Sequence, residues 1–269
     1  MAPRLKPDPI GVAELRRYLE TESDFDFELR VLHQLRDFGI NCEHGGHYED
    51  PVTKKSREFD IRMHVSDGCF HLLSSIECKN LQSNFPLLVS CVPRTEDESW
   101  HQVAQKRAVG SWTKVHIMRR EFSLYKPRGI VGKSTVQVGI TPAGDLLAND
   151  AEVYEKWGQS LASLHGFARK ITGLPHESVS MALPIVVVPS GSLWHVLYKK
   201  DGRRMKDPEQ VDRCSVYAGG FEIPLDAPSS LRISHVEIMT IDGLMQFCGQ
   251  HLLDEGTMQA MILGGHALD

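Results

Sequence analysis

The stretch Glu58-Phe59-Asp60-Ile61-Arg62-Met63-His64-Val65, with Ser66-Asp67-Gly68-Cys69 after it and Phe70-His71-Leu72-Leu73-Ser74-Ser75-Ile76-Glu77-Cys78-Lys79 beyond, carries the clearest structural signal in the chain. Phe59, Ile61, Met63 and Val65 alternate with Glu58, Asp60, Arg62 and His64, the period of a strand with one apolar face. Asp67-Gly68 is a strong two-residue hairpin signal. The return strand then sets Phe70, Leu72, Ser74, Ile76 and Cys78 on one face and His71, Leu73, Ser75, Glu77 and Lys79 on the other. A turn centred on Asp67-Gly68 puts Asp60 opposite Ser75 and diagonal to Glu77. Diagonal neighbours lie roughly 7 Å apart at the backbone, so two carboxylates and the Lys79 ammonium are expected to share one patch.

Such a patch suits phosphodiester hydrolysis. Carboxylate oxygens hold Mg²⁺, the ion polarises the phosphate and acidifies a bound water, and a nearby ammonium orients that water or stabilises charge at phosphorus. The plain alternative is an exposed strand face with a cross-strand ion pair.

Outward from the hairpin, a helix is predicted from about Asp26 to Phe38, capped by Ser23 or Asp24 and stopped by Gly39. Val31, Leu32, Leu35 and Phe38 form its apolar stripe, and Glu28 intrudes on it, where an unpaired charge is costly. An acid in the first turn favoured by the helix dipole is the alternative reading. Leu87 to Val92 reads as a strand, Val115 to Met118 as another, and the rest of 84–134 as irregular. A long helix follows from about Ala151 to Ile171, capped by Asn149 or Asp150, with Val153, Tyr154, Trp157, Leu161, Leu164, Ala168 and Ile171 as its stripe. Ile185 to Val188 and Leu193 to Tyr198 read as strands, and Ile241 to Leu253 as the last helix. The alternation implies an α/β fold around one mixed sheet, in a single elaborated domain over 1–269 with core motifs in 24–82, a basic elaboration in 83–135 and a helix-strand half in 149–255.

The order of these parts resembles the PD-(D/E)XK, or restriction-endonuclease-like, nuclease superfamily: a helix bearing Glu28, a hairpin strand bearing Asp60, and a next strand bearing Glu77-Cys78-Lys79. The run from Asp50-Pro51 to Phe59-Asp60 is similar to the turn and strand before the metal-binding Asp in several bacterial members. The likeness covers about Asp24 to Leu81, with a looser one from Val131-Gly132-Lys133-Ser134 to Trp157-Gly158-Gln159. It implies a central mixed β-sheet flanked by α-helices and a Mg²⁺- or Mn²⁺-dependent cut in nucleic acid, most often DNA. Asp60, Glu77 and Glu28 would be metal ligands and Lys79 would stand at the nucleophilic water.

The 269 residues carry a net charge of −5, which by itself argues against a protein that coats nucleic acid. The excess is local: Lys106, Arg107, Lys114, Arg119, Arg120, Lys126, Arg128 and Lys133 are opposed in their segment only by Glu121. Lys126, Arg128 and Lys133 are expected to touch backbone phosphates, with Gln159 approaching from the long helix. A solvated loop is the competing reading for this run and for Lys199 to Lys206. The six cysteines form no Cys-x-x-Cys pair and read as reduced core thiols of a cytoplasmic protein. No run is long enough for a membrane span, and Met1 to Asp8 has no signal-peptide pattern. Homodimerisation stays open.

Other signals weigh less. Gly129-Ile130-Val131-Gly132-Lys133-Ser134 lacks the first Walker glycine, since Pro127 stands there. Cys42, His44 and His47 could hold zinc but have no second cluster to complete a site. Ser190-Gly191-Ser192 has no nucleophile elbow around it. The rival functions are a catalytically inactive nucleic-acid-binding module of the same fold and a zinc-stabilised interaction protein.

Overall fold

The computed structural model describes residues 8–109, 112–225, 229–253 and 256–264. Two helices open the chain, α1 (Val12–Thr21) and α2 (Phe25–Asp37). Helix α2 turns Phe27, Val31, Leu32 and Leu35 into the core, while Phe38, expected on the same stripe, is left 36% exposed. Gly39 follows at φ +76°, and the Ile40 amide reaches back to the Leu35 carbonyl. That left-handed residue satisfies the last carbonyls and ends the helix there.

An antiparallel meander comes next: β1 (Cys42–Glu49), β2 (Ser56–Asp67) and β3 (Phe70–Cys78). The hairpin was foreseen, but its register differs. Asp67 pairs with Phe70, so the two turn residues are Gly68 and Cys69, and Ile61 pairs with Ile76. Gly68, at φ +56°, supplies the backbone that the first central position of a II′ turn requires. The displacement is two residues, an even number, so the faces are kept while Asp60 moves from beside Ser75 to directly across from Glu77. Ile61 and Met63 bury themselves under α2, whereas Phe59 leaves that set and packs with Tyr48 and Ala162.

The expected strand from Leu87 is β4 (Leu87–Pro93), and the expected Val115 to Met118 lies within a longer β6 (Trp112–Glu121); the remainder of the segment, expected to be irregular, is mostly strand as well, in β5 (Trp100–Val109) and β7 (Ile130–Ile140), followed by β8 (Leu146–Asn149). Strands β5 and β6 form a long hairpin ribbon from Trp100/Glu121 outward. Its sequence hides this because β6 is mainly exposed or half-buried and carries little alternation of apolar residues.

Helix α3 (Ala151–Ala168) lies across the meander, and the single turn α4 (Lys170–Gly173) takes the place of its expected last residues. Then come β9 (Ser178–Val188), β10 (Leu193–Leu197), β11 (Glu209–Gln210), β12 (Arg213–Pro224), β13 (Ser230–Thr240), α5 (Ile241–His251) and α6 (Thr257–Leu263). One mixed sheet runs β1-β2-β3-β9-β13-β12-β7-β4-β10-β11, with β9 parallel to β3 and to β13. All of β9 is buried, yet it contains Pro184. On the side away from β3, its partner is β5 as far as Met181 and β13 from Ile185 onward. Pro184 falls in that gap, where β13 has not yet begun to pair, which is how a central strand tolerates a residue with no amide hydrogen.

Two cores cover the two faces. Helices α2, α5 and α6 bury Ile61, Ile76, Cys78, Ile185 and Val187 on one side. On the other, α3 packs Leu161, Leu164 and Phe167 against Leu73, Val186 and Val188. No helix among the described residues is long and apolar enough to cross a membrane.

Candidate metal centre

Asp60 and Glu77 sit side by side at the end of the β2–β3 ladder, one step beyond the Ile61–Ile76 pair. The Asp60 Oδ2 accepts a 2.7 Å hydrogen bond from the Cys78 amide, which fixes the carboxylate against β3. Glu77 is wholly buried, and among the described residues neither of its carboxylate oxygens accepts a hydrogen bond from a donor group, while the Asp60 carboxylate lies against it. Burial first, and then the neighbouring Asp60 charge, push the Glu77 pKa well above the ordinary glutamate value.

The cation that meets this pair is Lys156 of α3, a residue absent from the sequence-based site. Its ammonium lies 3.0 Å from Asp60 Oδ2 and 3.6 Å from Glu77 Oε2. Burial opposes the Lys156 charge, but the Asp60 and Glu77 carboxylates outweigh it and raise its pKa. A signal for it existed. Lys156 lies three residues after Val153 and four before Ser160, both buried, so a cation stands on the inward face of an amphipathic helix. Arg62 fastens α3 in this position by donating to the Ser163 carbonyl at 3.0 Å while stacking 4.0 Å above the Phe59 ring.

Lys79 departs from its expected place. It directly follows the same strand, but its ammonium lies 3.5 Å from Asp24 and 3.4 Å from Glu152, at the rim of the site. Asp24, considered above as a helix cap, makes no capping hydrogen bond and instead accepts from the Asn80 amide at 2.7 Å, tying the start of α2 to the end of β3. Glu28 is brought close enough for Asp60 to act on it. Burial, followed by the Asp60 charge, raises its pKa to about 7. Its carboxylate stands 3.6 Å from His44 Nε2.

The proposed phosphate contacts do not gather around this centre. Lys126 and Arg128 are exposed in the loop before β7, Lys133 is paired with Glu98, and Gln159 donates to Glu155 at 3.5 Å. Lys106, part of the basic run, is buried, and its ammonium donates to the Thr172 carbonyl within α4 and the Leu174 carbonyl just after it. The second basic cluster is internally paired, with Arg204 3.3 Å from Asp207 and Lys206 bound to Glu209. The suggested zinc ligands diverge: Cys42 is in the core, His44 faces Glu28, and His47 lies 3.4 Å from Glu58.

Among the described residues, no group of three or more His, Cys, Asp or Glu side chains is arranged to hold a metal ion. What Asp60 and Glu77 offer is a pair of hard oxygen donors, one of them buried and accepting no hydrogen bond among the described residues, and this donor set fits Mg²⁺ or Mn²⁺ better than a soft metal. Such ions retain several water ligands, so two protein carboxylates suffice to begin a site.

Comparison with known proteins leaves the centre to be judged on its geometry. No family model, curated protein or solved structure matches the chain.

Proposed function

We propose that the chain is a divalent-metal-dependent nuclease of restriction-endonuclease-like fold that hydrolyses phosphodiester bonds in nucleic acid, most often DNA. The observation that carries this reading is the pairing of half-buried Asp60 with wholly buried Glu77, whose oxygens accept no hydrogen bond among the described residues. A carboxylate without donors in a dry site is costly unless a cation balances it. Lys156 lies nearer Asp60, at 3.0 Å, than Glu77, at 3.6 Å. The helix with Glu28, the strand with Asp60 and the next strand with Glu77-Cys78-Lys79 appear in the order that the PD-(D/E)XK resemblance implies, within a mixed sheet covered by helices.

In this reading Asp60 and Glu77 hold Mg²⁺ or Mn²⁺, and Glu28 serves as the auxiliary acid. When bound, the ion polarises the phosphate and lowers the pKa of a water. Lys156 keeps the carboxylates aligned and balances part of their charge. Lys79, at the rim, presents its ammonium to the incoming phosphate and attacking water, in exchange for its contact with Glu152. The exposed Lys126 and Arg128 add backbone contacts farther away. The protein is taken as cytoplasmic, in keeping with its free cysteines.

The rival favoured by a specific observation is a binding module without turnover, because Lys156 already neutralises part of the acid pair. Plasmid and single-stranded DNA, incubated with the chain in Mg²⁺ or EDTA, separate the two. Cutting should require the metal and fall by at least about 100-fold in Asp60→Ala, the scale of losing a group that stabilises transition-state charge. Binding to DNA with no metal-dependent cutting, or cutting undiminished in that variant, would refute hydrolysis at this centre.

A further inference from the structure

The loop after β6 docks on α6, where the Ser123 hydroxyl donates to the Met261 carbonyl at 2.9 Å. That loop, α6, the end of α5 and the start of β12 surround a cavity of about 440 Å³. Its volume is in the range of small-molecule sites, roughly 300–1,000 Å³. Lys126, Arg213, Gln250 and His251 line it, with Phe122 and Met261 as apolar walls. None of the residues gathered at the candidate metal centre takes part in this lining.

The charge here is of one sign. No Asp or Glu lines the cavity among the described residues, and there the Lys126 ammonium makes no ion pair. Arg213 stands 4.9 Å over the Phe247 ring, and its bond to the buried Glu237 uses Nε alone. Glu237 thus balances the Arg213 charge from behind while the two terminal nitrogens stay available to a ligand. Gln250 is exposed, and its amide adds a further donor. Burial, and then the Arg213 charge, push the His251 pKa below the usual histidine value, which puts the two side chains within electrostatic reach. An anion between them would relieve that push. Phe122 holds φ +58°, rare for a bulky residue, and its side chain is left 46% exposed beside these donors.

Such a lining selects an anion over a cation, and the number of donors narrows the class. A carboxylate brings two oxygens and a single charge, whereas a phosphate monoester brings three and about −1.5 to −2 at pH 7. Four donor-bearing side chains suit the second. We infer that this cavity binds a small organic phosphate, with Lys126 and Arg213 on the phosphate and the Phe122 ring against the organic body. The inference does not rest on the nuclease reading, in which Lys126 is only a distant backbone contact.

The test is isothermal titration calorimetry on the full chain, in EDTA and at constant ionic strength, with phenyl phosphate, inorganic phosphate and benzoate as the ligands. Phenyl phosphate should bind once per chain, about tenfold tighter than benzoate and tighter than inorganic phosphate, which has no ring. Lys126→Gln, at an exposed position where folding is not at stake, should weaken phenyl phosphate by about tenfold or more, the scale of one charge-assisted hydrogen bond. Lys200→Gln removes an equal charge from another exposed position and should leave the affinity unchanged. The assignment is overturned by an absence of binding at millimolar phenyl phosphate, by benzoate binding as tightly, or by equal losses in the two lysine variants. Binding that survives Lys126→Gln and disappears in Asp60→Asn would place the phosphate at the acid pair and overturn it too.

Discussion

The Lys156 charge opposes the burial that raises the Glu28 pKa, but does not outweigh it. Burial and the Asp60 charge raise the Glu28 pKa from 4.5 to about 7, so the folded chain holds this proton more tightly than the unfolded chain does. The stabilising contribution is therefore complete below pH 4.5 and is lost as pH rises through about 7. Glu28→Gln should flatten the decline in melting temperature across that window, and a scan from pH 5 to 8 in EDTA would show it. An unchanged slope would mean that Glu28 does not titrate there. Lys156→Met removes the cation that faces both carboxylates. Breaking a buried pair by deleting one partner costs about 3–5 kcal/mol, so the variant should melt well below the wild type at pH 8 in EDTA. If a metal occupies the same space, Mg²⁺ should recover part of the loss. A variant as stable as the wild type in EDTA would show that the ion pair is energetically silent.

Among the elements, the β2–β3 hairpin and α3 divide the work. The hairpin aligns Asp60 with Glu77, and its register follows from where the turn falls. Gly68 adopts φ +56°, and a Cβ there would meet no atom within 4 Å, so an alanine would cost backbone strain alone. Gly68→Ala should destabilise by about 1–2 kcal/mol, a shift of a few degrees in a chain of this size. Metal-dependent cutting should be unchanged, since the acid pair lies at the far end of the ladder. Loss of activity equal to the loss seen in Asp60→Ala would indicate that the register itself had slipped. Helix α3 supplies the cation from a part of the chain remote in sequence, held by Leu164 and Phe167 in the core and by Arg62 across the β2 surface.

Across the whole molecule, buried titratable groups set limits on stability from both directions. A second polar cluster lies away from the acid pair, where Arg213 donates to the fully buried Glu237 at 2.7 Å and Tyr125 stacks on His235 with ring centres 3.7 Å apart. Burial lowers the His235 pKa from 6.5 to about 3 and that of His101 to about 4. The unfolded chain takes up protons at these sites first, so stability falls as pH drops from 6.5 toward 4. Together with the rise in the Glu28 and Glu77 pKa values, whose contribution fades as pH rises from 4.5, this places maximal stability of the metal-free chain on the acid side of neutrality, between 4.5 and 6.5. His235→Phe keeps an aromatic partner for Tyr125 and deletes the proton site, so it should flatten the acid limb of a melting-temperature profile without altering the alkaline one. An acid limb as steep as that of the wild type would assign the effect elsewhere.

Alternation of apolar residues in β2 and β3, the α2 stripe with its Gly39 stop, and the helical period of α3 were legible because each is a local pattern imposed by backbone geometry. They are enough to put Asp60 and Glu77 on one face, since a register error of two residues preserves sidedness. The β5–β6 ribbon, the long reach of β9 through Pro184, and the β12–β13 pairing were not legible, because they rest on contacts between distant segments that leave little local periodicity. The same reason separates the two lysines. Lys79 falls on the acids' strand face by alternation, and the resemblance puts it at the nucleophilic water, but the start of α2 offers it Asp24. Lys156 reaches the acids only because α3 packs across the meander, and packing of one element on another is decided by the shape and burial of the assembled fold.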